Sequence, residues 1–201
     1  MRGLLVMTLV SLWSLRLAGY LAFRNWSKPE DHRYRAIRAR NSPGFEWKSL
    51  YLVFGMQGVL AWVISAPLAA AINGSTALGI FDFLGAALVL FGIVYETLAD
   101  SQLARFKADP VNVGQVMNRG LWRYSRHPNY FGECCLWWGY WLIAVGAGGA
   151  WTVFAPVLMT VLLLKISGVA LLEKDIGERR PGYSTYTATT NAFLPGPRRT
   201  S

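Results

Sequence analysis

Five long apolar blocks constrain the fold of this chain more than any other feature of its sequence. An α-helix of about 20 apolar residues is long enough to cross the hydrocarbon core of a bilayer. Charged residues make up only 15% of the chain, whereas soluble domains usually carry about 25%. We therefore predict an all-α fold, a polytopic membrane helix bundle with about five transmembrane helices in one domain over residues 1–201. The five blocks cover residues 3–23, 50–72, 77–98, 130–147 and 150–171.

The polar segments between the blocks predict how the helices connect. Asn73-Gly-Ser75 indicates a tight hairpin between the second and third helices, and Asp82 is expected to cap the third. Residues 30–40 predict a short helix outside the membrane. Residues 99–128 predict a long loop, which Asp109-Pro110 interrupts.

The uneven distribution of basic residues predicts the orientation of the chain. The net charge is +9, and 17 of the 20 Lys and Arg residues fall within residues 24–48, 105–126 and 174–199. The segments 73–76 and 146–149 contain none. With five crossings, all three basic segments lie on one side, which the positive-inside rule makes cytoplasmic. We therefore expect a cytoplasmic C-terminus and contacts with membrane lipids, and no nucleic-acid partner; the oligomeric state stays open.

A polar motif directly before the fourth block is the clearest sign of a binding site. Residues 120–133 read Gly-Leu-Trp-Arg-Tyr-Ser-Arg-His-Pro-Asn-Tyr-Phe-Gly-Glu. Proline favours the first turn of a helix, and a helix N-terminus attracts phosphate. We expect an anionic cofactor here, although a structural cap is the alternative for the histidine. The candidates are Arg123, Arg126 and His127 for phosphate, Asn129 and Glu133 for a planar reactive ring, and Tyr124 and Tyr130 beside them.

Charged residues within or near the apolar blocks extend this candidate site. Glu96 and Asp100 are four residues apart and share one helix face. With Arg105 and Lys107 they predict a site for the ribose and phosphates of a nucleotide; a solvated helix end is the alternative. Arg16 lies inside the first block, where an arginine costs about 2.5–3.5 kcal/mol. It therefore either meets an anion inside the bundle or extends to the membrane surface.

The end of the fifth block and the tail supply a third group of candidates. These are Lys165, Glu173, Arg179, Tyr183 and Tyr186, which could cover a bound nucleotide. A basic, aromatic tail is equally consistent with an anchor at the membrane surface. We predict no metal site, because the two histidines are far apart and no Cys-x-x-Cys occurs.

Several of these segments together resemble the steroid 5-alpha reductase family, especially its uncharacterised bacterial branch. They are residues 24–31, 119–133, 165–174, 180–186 and 191–195. The resemblance implies an integral enzyme of the bacterial cytoplasmic membrane with its active site facing the cytoplasm. It further implies that this enzyme passes a hydride from NADPH to a carbon–carbon double bond of an enone lipid or steroid-like substrate.

The same resemblance implies roles for individual residues. Asn129 matches an asparagine that contacts the cofactor. Asp100 and Lys107 match a carboxylate and a cation at the nucleotide end. Arg16 matches an arginine in the helix that otherwise carries the catalytic tyrosine, and Glu133 matches a glutamate of the motif.

Two departures from the family pattern leave the proton donor open. Trp13 stands where the catalytic tyrosine is expected. About two N-terminal helices of the family, one of which carries a catalytic acid, are apparently absent. Tyr20 and Tyr130 are therefore the candidate proton donors, with Arg16 and Glu133 as further catalytic candidates.

Two other functions compete with the reductase. Residues 126–132 read Arg-His-Pro-Asn-Tyr-Phe-Gly and resemble an element of the isoprenylcysteine carboxyl methyltransferases, which bind S-adenosylmethionine. Those enzymes typically have paired glutamates in the tail, where this chain has Glu173-Lys174. The third possibility is a non-catalytic membrane scaffold or lipid-binding protein.

Overall fold

The computed structural model describes residues 1–26, 32–166, 169, 173 and 180–199, and these residues form helices and turns without any β-strand. The predicted all-helical fold is thus confirmed for this part of the chain. Short 3-10 turns at Pro110–Asn112 and Gly120–Arg123 lie between the fifth and sixth helices. The helices are α1 (Arg2–Asn25), α2 (His32–Asn41), α3 (Phe45–Ile64), α4 (Ala66–Asn73), α5 (Ile80–Ala108), α6 (Pro128–Gly146), α7 (Ala150–Ile166) and α8 (Tyr183–Thr189).

Three of these helices, α1, α3 and α5, are long and apolar enough to cross a membrane. Their outward sides carry large apolar side chains, and Leu15, Trp62 and Phe83 are each more than half exposed. Extended apolar surface of this kind is unusual on a soluble monomer and marks contact with lipid or protein. The three helices together indicate an integral membrane protein.

The predicted connections are partly right. The hairpin near residue 73 is confirmed, since α4 ends at Asn73 and α5 begins at Ile80. The short helix predicted for residues 30–40 is found as α2 over its described part. The second apolar block, predicted as one helix, is divided at Ser65, because Pro67 in the first turn of α4 lacks a backbone N–H.

The predicted loop at residues 99–128 is wrong over its first ten residues. Helix α5 continues to Ala108, because one face of this segment remains apolar after the sequence becomes polar. On that face Phe106 packs with Met117 and Trp122 from the following segment. The polar residues therefore mark a helix that extends beyond the apolar block, and the helix ends only at Asp109-Pro110.

Helices α5 and α6 approach each other so closely that glycine is required at their contact. A Cβ atom on Gly92 would lie 2.6 Å from the carbonyl oxygen of Gly132, and one on Gly85 would lie 2.6 Å from that of Gly139. The two glycines of α5 are seven residues apart, and so are the two glycines of α6. Small residues that let two backbones meet are typical of helix contacts in membranes. The contact runs along the length of α6, which is the most enclosed helix of the bundle.

A buried ion pair closes the bundle at the N-terminal end of α5. Arg2 donates from Nε to Oδ1 of Asp82 at 2.6 Å and from Nη2 to Oδ2 at 2.9 Å. Asp82 also accepts the backbone N–H of Gly79 at 2.8 Å, which confirms the predicted cap. The remaining Arg2 donors reach carbonyl oxygens, including that of Gly146. This pair therefore joins the first turn of α1 to the start of α5 and the end of α6.

Replacing Gly92 by alanine is expected to destabilise the protein, because the new methyl group has no space between the two backbones. Overpacking costs about 1–3 kcal/mol, which corresponds to a fall of about 2–12 °C in the thermal unfolding midpoint for a chain of this size. The measurement is thermal unfolding of the purified protein in detergent. Gly19→Ala on α1 is the control, since a Cβ there would meet no atom within 4 Å. Equal midpoints for the two variants would contradict the close contact.

Candidate functional site

A cavity of about 270 Å³ lies where the C-terminal ends of α1 and α5 meet the N-terminus of α6 and the tail. Two larger grooves, of about 440 and 550 Å³, open elsewhere on the surface. The smaller cavity nevertheless brings together residues from every segment that the sequence indicated as functional. Eight predicted site residues line it: Tyr20, Lys107, Arg126, His127, Asn129, Tyr130, Tyr183 and Tyr186.

The cavity also contains residues that the sequence did not indicate. Arg24 and Trp122 are the most important of these. Arg24 lies one turn after Tyr20 on α1, with its guanidinium 5.7 Å from that ring. Because residues four apart share one face of a helix, the position of Arg24 relative to the predicted Tyr20 could have identified it. Arg180 is adjacent to the predicted Arg179, which lies outside the described residues.

The charge of the cavity wall is strongly positive. Arg24, Lys107, Arg126 and Arg180 line it, whereas none of the described lining residues is an aspartate or glutamate. Aromatic side chains make up much of the remaining wall, and the rings of His127 and Tyr130 stack at 5.6 Å with an interplanar angle of 3°. A cavity with cations and flat rings suits an anionic ligand that carries planar groups.

A buried ionic cluster lies behind the cavity and connects to it through Asn129. Arg16 on α1 pairs with Glu96 and Asp100 on α5, and its Nη1 donates to Oδ2 of Asp100 at 2.9 Å. The side-chain amide of Asn129 donates to the other oxygen of Asp100 at 3.3 Å. The cluster thus fixes Asn129 at the cavity wall, and it explains why Arg16 is stable within an apolar helix.

Glu133 lies deeper in the bundle and does not line the cavity. It accepts hydrogen bonds from Nε1 of Trp13 at 3.1 Å and from Nε1 of Trp137 at 3.0 Å. The two indole rings meet edge to face with centroids 5.7 Å apart. Trp13 therefore donates a hydrogen bond from the first helix to this glutamate.

A second ionic group holds the tail against the start of α6. Arg126 donates from Nε and Nη2 to the carboxylate of Glu173 at 2.7 and 3.0 Å, and from Nη1 to the carbonyl oxygens of Thr187 and Thr190. His127 Nε2 lies 2.9 Å from Oε1 of Glu173. Because these partners engage all three guanidinium nitrogens of Arg126, a bound anion would have to compete for them.

We call these contacts among Arg126, His127, Glu173 and the tail the tail lock. It shifts the pKa values of one acidic and two aromatic side chains. Burial acts to raise the pKa of Glu173, but the hydrogen bonds from His127 and Arg126 outweigh it and lower the pKa to about 2. Burial and the charge of Glu173 raise the pKa of Tyr183 to about 12. Burial, with a smaller contribution from Tyr183, also raises the pKa of Tyr186, whose hydroxyl donates to the carbonyl oxygen of Trp122. Glu173 is therefore ionised and both tyrosines are neutral near pH 7.

Four more predicted site residues lie outside the cavity, in addition to Arg16, Glu96, Asp100, Glu133 and Glu173. Arg105, Arg123, Tyr124 and Lys165 are all exposed and do not line it. Arg105 points away because it is two residues from Lys107, and residues at this spacing lie on different faces of a helix. The basic character of these segments indicated which segments lie near the cavity, but not which residues line it.

Comparisons with known proteins cover most of the chain but name no activity. A family described as "Protein of unknown function (DUF1295)" matches residues 1–190. An uncharacterised protein of Schizosaccharomyces pombe is 27% identical over 224 residues, covering 96% of this chain and 64% of the relative. The chain therefore spans somewhat less than two thirds of that relative's length. No solved structure matches the chain significantly.

Replacing Arg16 by methionine is expected to destabilise the bundle, because two buried carboxylates lose their cation. Breaking a buried pair costs about 3–5 kcal/mol, or about 10 °C in the unfolding midpoint. Adding Glu96→Gln and Asp100→Asn to the same chain should recover most of this loss, since no unpaired charge remains. A triple variant as unstable as Arg16→Met would show that the cluster does not act through charge pairing.

Replacing Glu173 by glutamine is expected to loosen the tail at pH 7, and hydrogen exchange of α8 measures this directly. Because the pKa of Glu173 is lowered from 4.5 to about 2, its contribution in the wild type is complete above about pH 4.5 and is lost as the pH falls through about 2. The control is Glu46→Gln, an exposed acid on α3. Equal exchange rates of α8 in both variants at pH 7 would contradict the lock.

Proposed function

The chain belongs to the DUF1295 family, and we propose that it is an integral membrane oxidoreductase that uses NADPH to reduce a carbon–carbon double bond in an enone lipid or steroid-like substrate. The single observation that carries the proposal is the cavity under the tail, where four cations, six aromatic rings and Asn129 converge without any lining carboxylate. The resemblance of the same segments to the steroid 5-alpha reductases supports this reaction class.

The chemistry of the cavity fits a phosphorylated nucleotide with a flat reactive ring. Arg24, Lys107 and Arg180 would hold phosphates, and Asn129 would hydrogen-bond the amide of a nicotinamide. The volume of about 270 Å³ is just below the range of about 300–1,000 Å³ for most ligand sites. A dinucleotide would therefore extend beyond the cavity or displace part of the tail. When bound, the cofactor supplies the hydride, while the residues of this chain provide binding and orientation.

We propose Tyr20 and Tyr130 as the candidate donors of the proton that accompanies reduction. Both line the cavity, so either hydroxyl can reach a group bound there. Arg16 and Glu133 are less direct candidates, since each is engaged by partners behind the cavity. Their contribution would be to hold Asn129 and the first helix in position rather than to touch the substrate.

The topology that accompanies this function has five membrane crossings. Helices α6 and α7, at about 1.5 Å per residue, are about 28 and 25 Å long and would supply two crossings besides α1, α3 and α5. The three basic segments then lie on one side, which the positive-inside rule makes cytoplasmic. The cavity and the C-terminus would face the cytoplasm, where NADPH is available, and a lipid substrate would enter from the bilayer.

The methyltransferase alternative fits the charges of the cavity less well. S-adenosylmethionine carries a sulfonium cation, which an electropositive wall repels, whereas the phosphates of NADPH are attracted to it. A non-catalytic scaffold would keep the bundle but would not need four cations around one cavity. Measurements of ligand binding distinguish both alternatives from the reductase.

The first test is titration of the purified protein in detergent with NADPH and S-adenosylmethionine in parallel. Saturable binding of NADPH alone is expected. Saturable binding of S-adenosylmethionine alone would replace the proposal with a methyltransferase, and binding of neither would support a scaffold.

Lys107→Ala is expected to weaken NADPH binding by about 10- to 150-fold, because one charge-assisted phosphate contact contributes about 1.5–3 kcal/mol. Arg105→Ala is the matched control, since it removes the same charge from the same helix outside the cavity. Asn129→Ala should also weaken binding without lowering the unfolding midpoint by more than about 3 °C. Unchanged NADPH affinity in both cavity variants would reject this site.

A further inference from the structure

A groove of about 440 Å³ between α2 and the first turns of α3 is separate from the cavity under the tail. Arg38 lines it from α2, Phe45, Glu46 and Ser49 line it from the start of α3, and Val53, Phe54 and Gln57 line it further along α3. We propose that this groove binds one anionic phospholipid, with its phosphate at Arg38 and an acyl chain along Val53 and Phe54. The proposal is independent of the function proposed above.

The position of α2 relative to the bilayer places the groove at the level of lipid headgroups. Helices α1 and α3 are each long enough to cross a membrane, so the segment between them stays on one side. Trp26 after α1 and Trp47 in α3 are each 77% exposed, as is typical of tryptophans at the membrane surface. Helix α2 therefore lies along the surface rather than in solvent.

The charge of α2 selects an anionic partner. Its sequence, His-Arg-Tyr-Arg-Ala-Ile-Arg-Ala-Arg-Asn, contains four arginines and no acid. Clusters of four or more basic residues beside a transmembrane helix recognise anionic lipids. Glu46 offsets the charge of Arg38 within the groove wall, so the positive character of this region comes from the other arginines of α2 and from Lys48 in the same turn of α3.

One contact places Arg38 beside the groove, and another joins the two helices that form it. The guanidinium of Arg38 lies 5.7 Å from the centre of the Phe45 ring. Lys48 Nζ donates to the carbonyl oxygen of Asn41 at 3.1 Å, which joins the end of α2 to the first turn of α3. Arg38 therefore faces the groove, whereas Arg40, on the same helix, does not line it.

The groove has both a charged and an apolar part, as a phospholipid does. From Glu46 to Phe54 the helix advances eight residues, or about 12 Å. Over this distance the wall changes from Glu46 through Ser49 to the apolar Val53 and Phe54, while Phe45 adds a ring near Glu46 and Gln57 adds an amide beyond Phe54. A soluble phosphate compound would use only the charged end, so the apolar end favours a lipid.

The test is native mass spectrometry of the full chain in neutral detergent, titrated with phosphatidylglycerol or phosphatidylcholine at near-physiological ionic strength. One tightly bound phosphatidylglycerol and weaker phosphatidylcholine are expected. Arg38→Ala should weaken the phosphatidylglycerol site by about tenfold, as expected for loss of a charge-assisted contact. Arg40→Ala should change it by about twofold or less, because an exposed charge off the site is screened by salt.

Ser49→Trp provides a second variant that fills the middle of the groove without changing any charge. It should abolish the single phosphatidylglycerol site even if Arg38→Ala fails to fold. Equal losses in Arg38→Ala and Arg40→Ala would overturn the proposal in favour of diffuse surface attraction. Three other outcomes would overturn the proposal as well. They are equal binding of the two lipids, displacement of the bound lipid by inorganic phosphate alone, and undiminished phosphatidylglycerol binding by Ser49→Trp.

Discussion

The close contact between α5 and α6 is the constraint on which the rest of the structure depends. In a bilayer, an apolar side chain gains little free energy when it moves from contact with lipid into contact with another helix. Two helices therefore associate through direct packing of their backbones. Glycines on both helices make this possible. The contact sets Glu96 and Asp100 of α5 beside Asn129 and Glu133 of α6, and α1 completes the cluster with Arg16.

The bundle has buried ionic contacts at two levels. The pair of Arg2 and Asp82 closes the N-terminal end of α5, and the cluster around Arg16 lies near its C-terminal half. Each joins α1 to α5 through charges that are costly to separate in an apolar surrounding. These contacts fix both the register and the rotation of α1, which apolar packing alone would specify less sharply.

The helical fold and the segments that line the cavity could both be predicted from the sequence, because both depend on local pattern. Apolar blocks indicated the helices, and the residues around His127 and Asn129 indicated the cavity. The partners of the charged residues were not predictable, since they depend on helix rotation: nothing local to Arg2 indicates Asp82, and nothing local to Arg126 indicates Glu173. The same reason explains why Lys107 lines the cavity while Arg105 does not.

The tail supplies Arg180, Tyr183 and Tyr186 to the wall of the cavity. The wall therefore exists only while the tail is docked, and docking and ligand binding form one linked equilibrium. Any molecule that fills the cavity favours the docked tail by mass action. Conversely, a partner that captures the free tail would expel the ligand. Residues 180–199 are thus also the segment through which occupancy of the cavity can be sensed from outside.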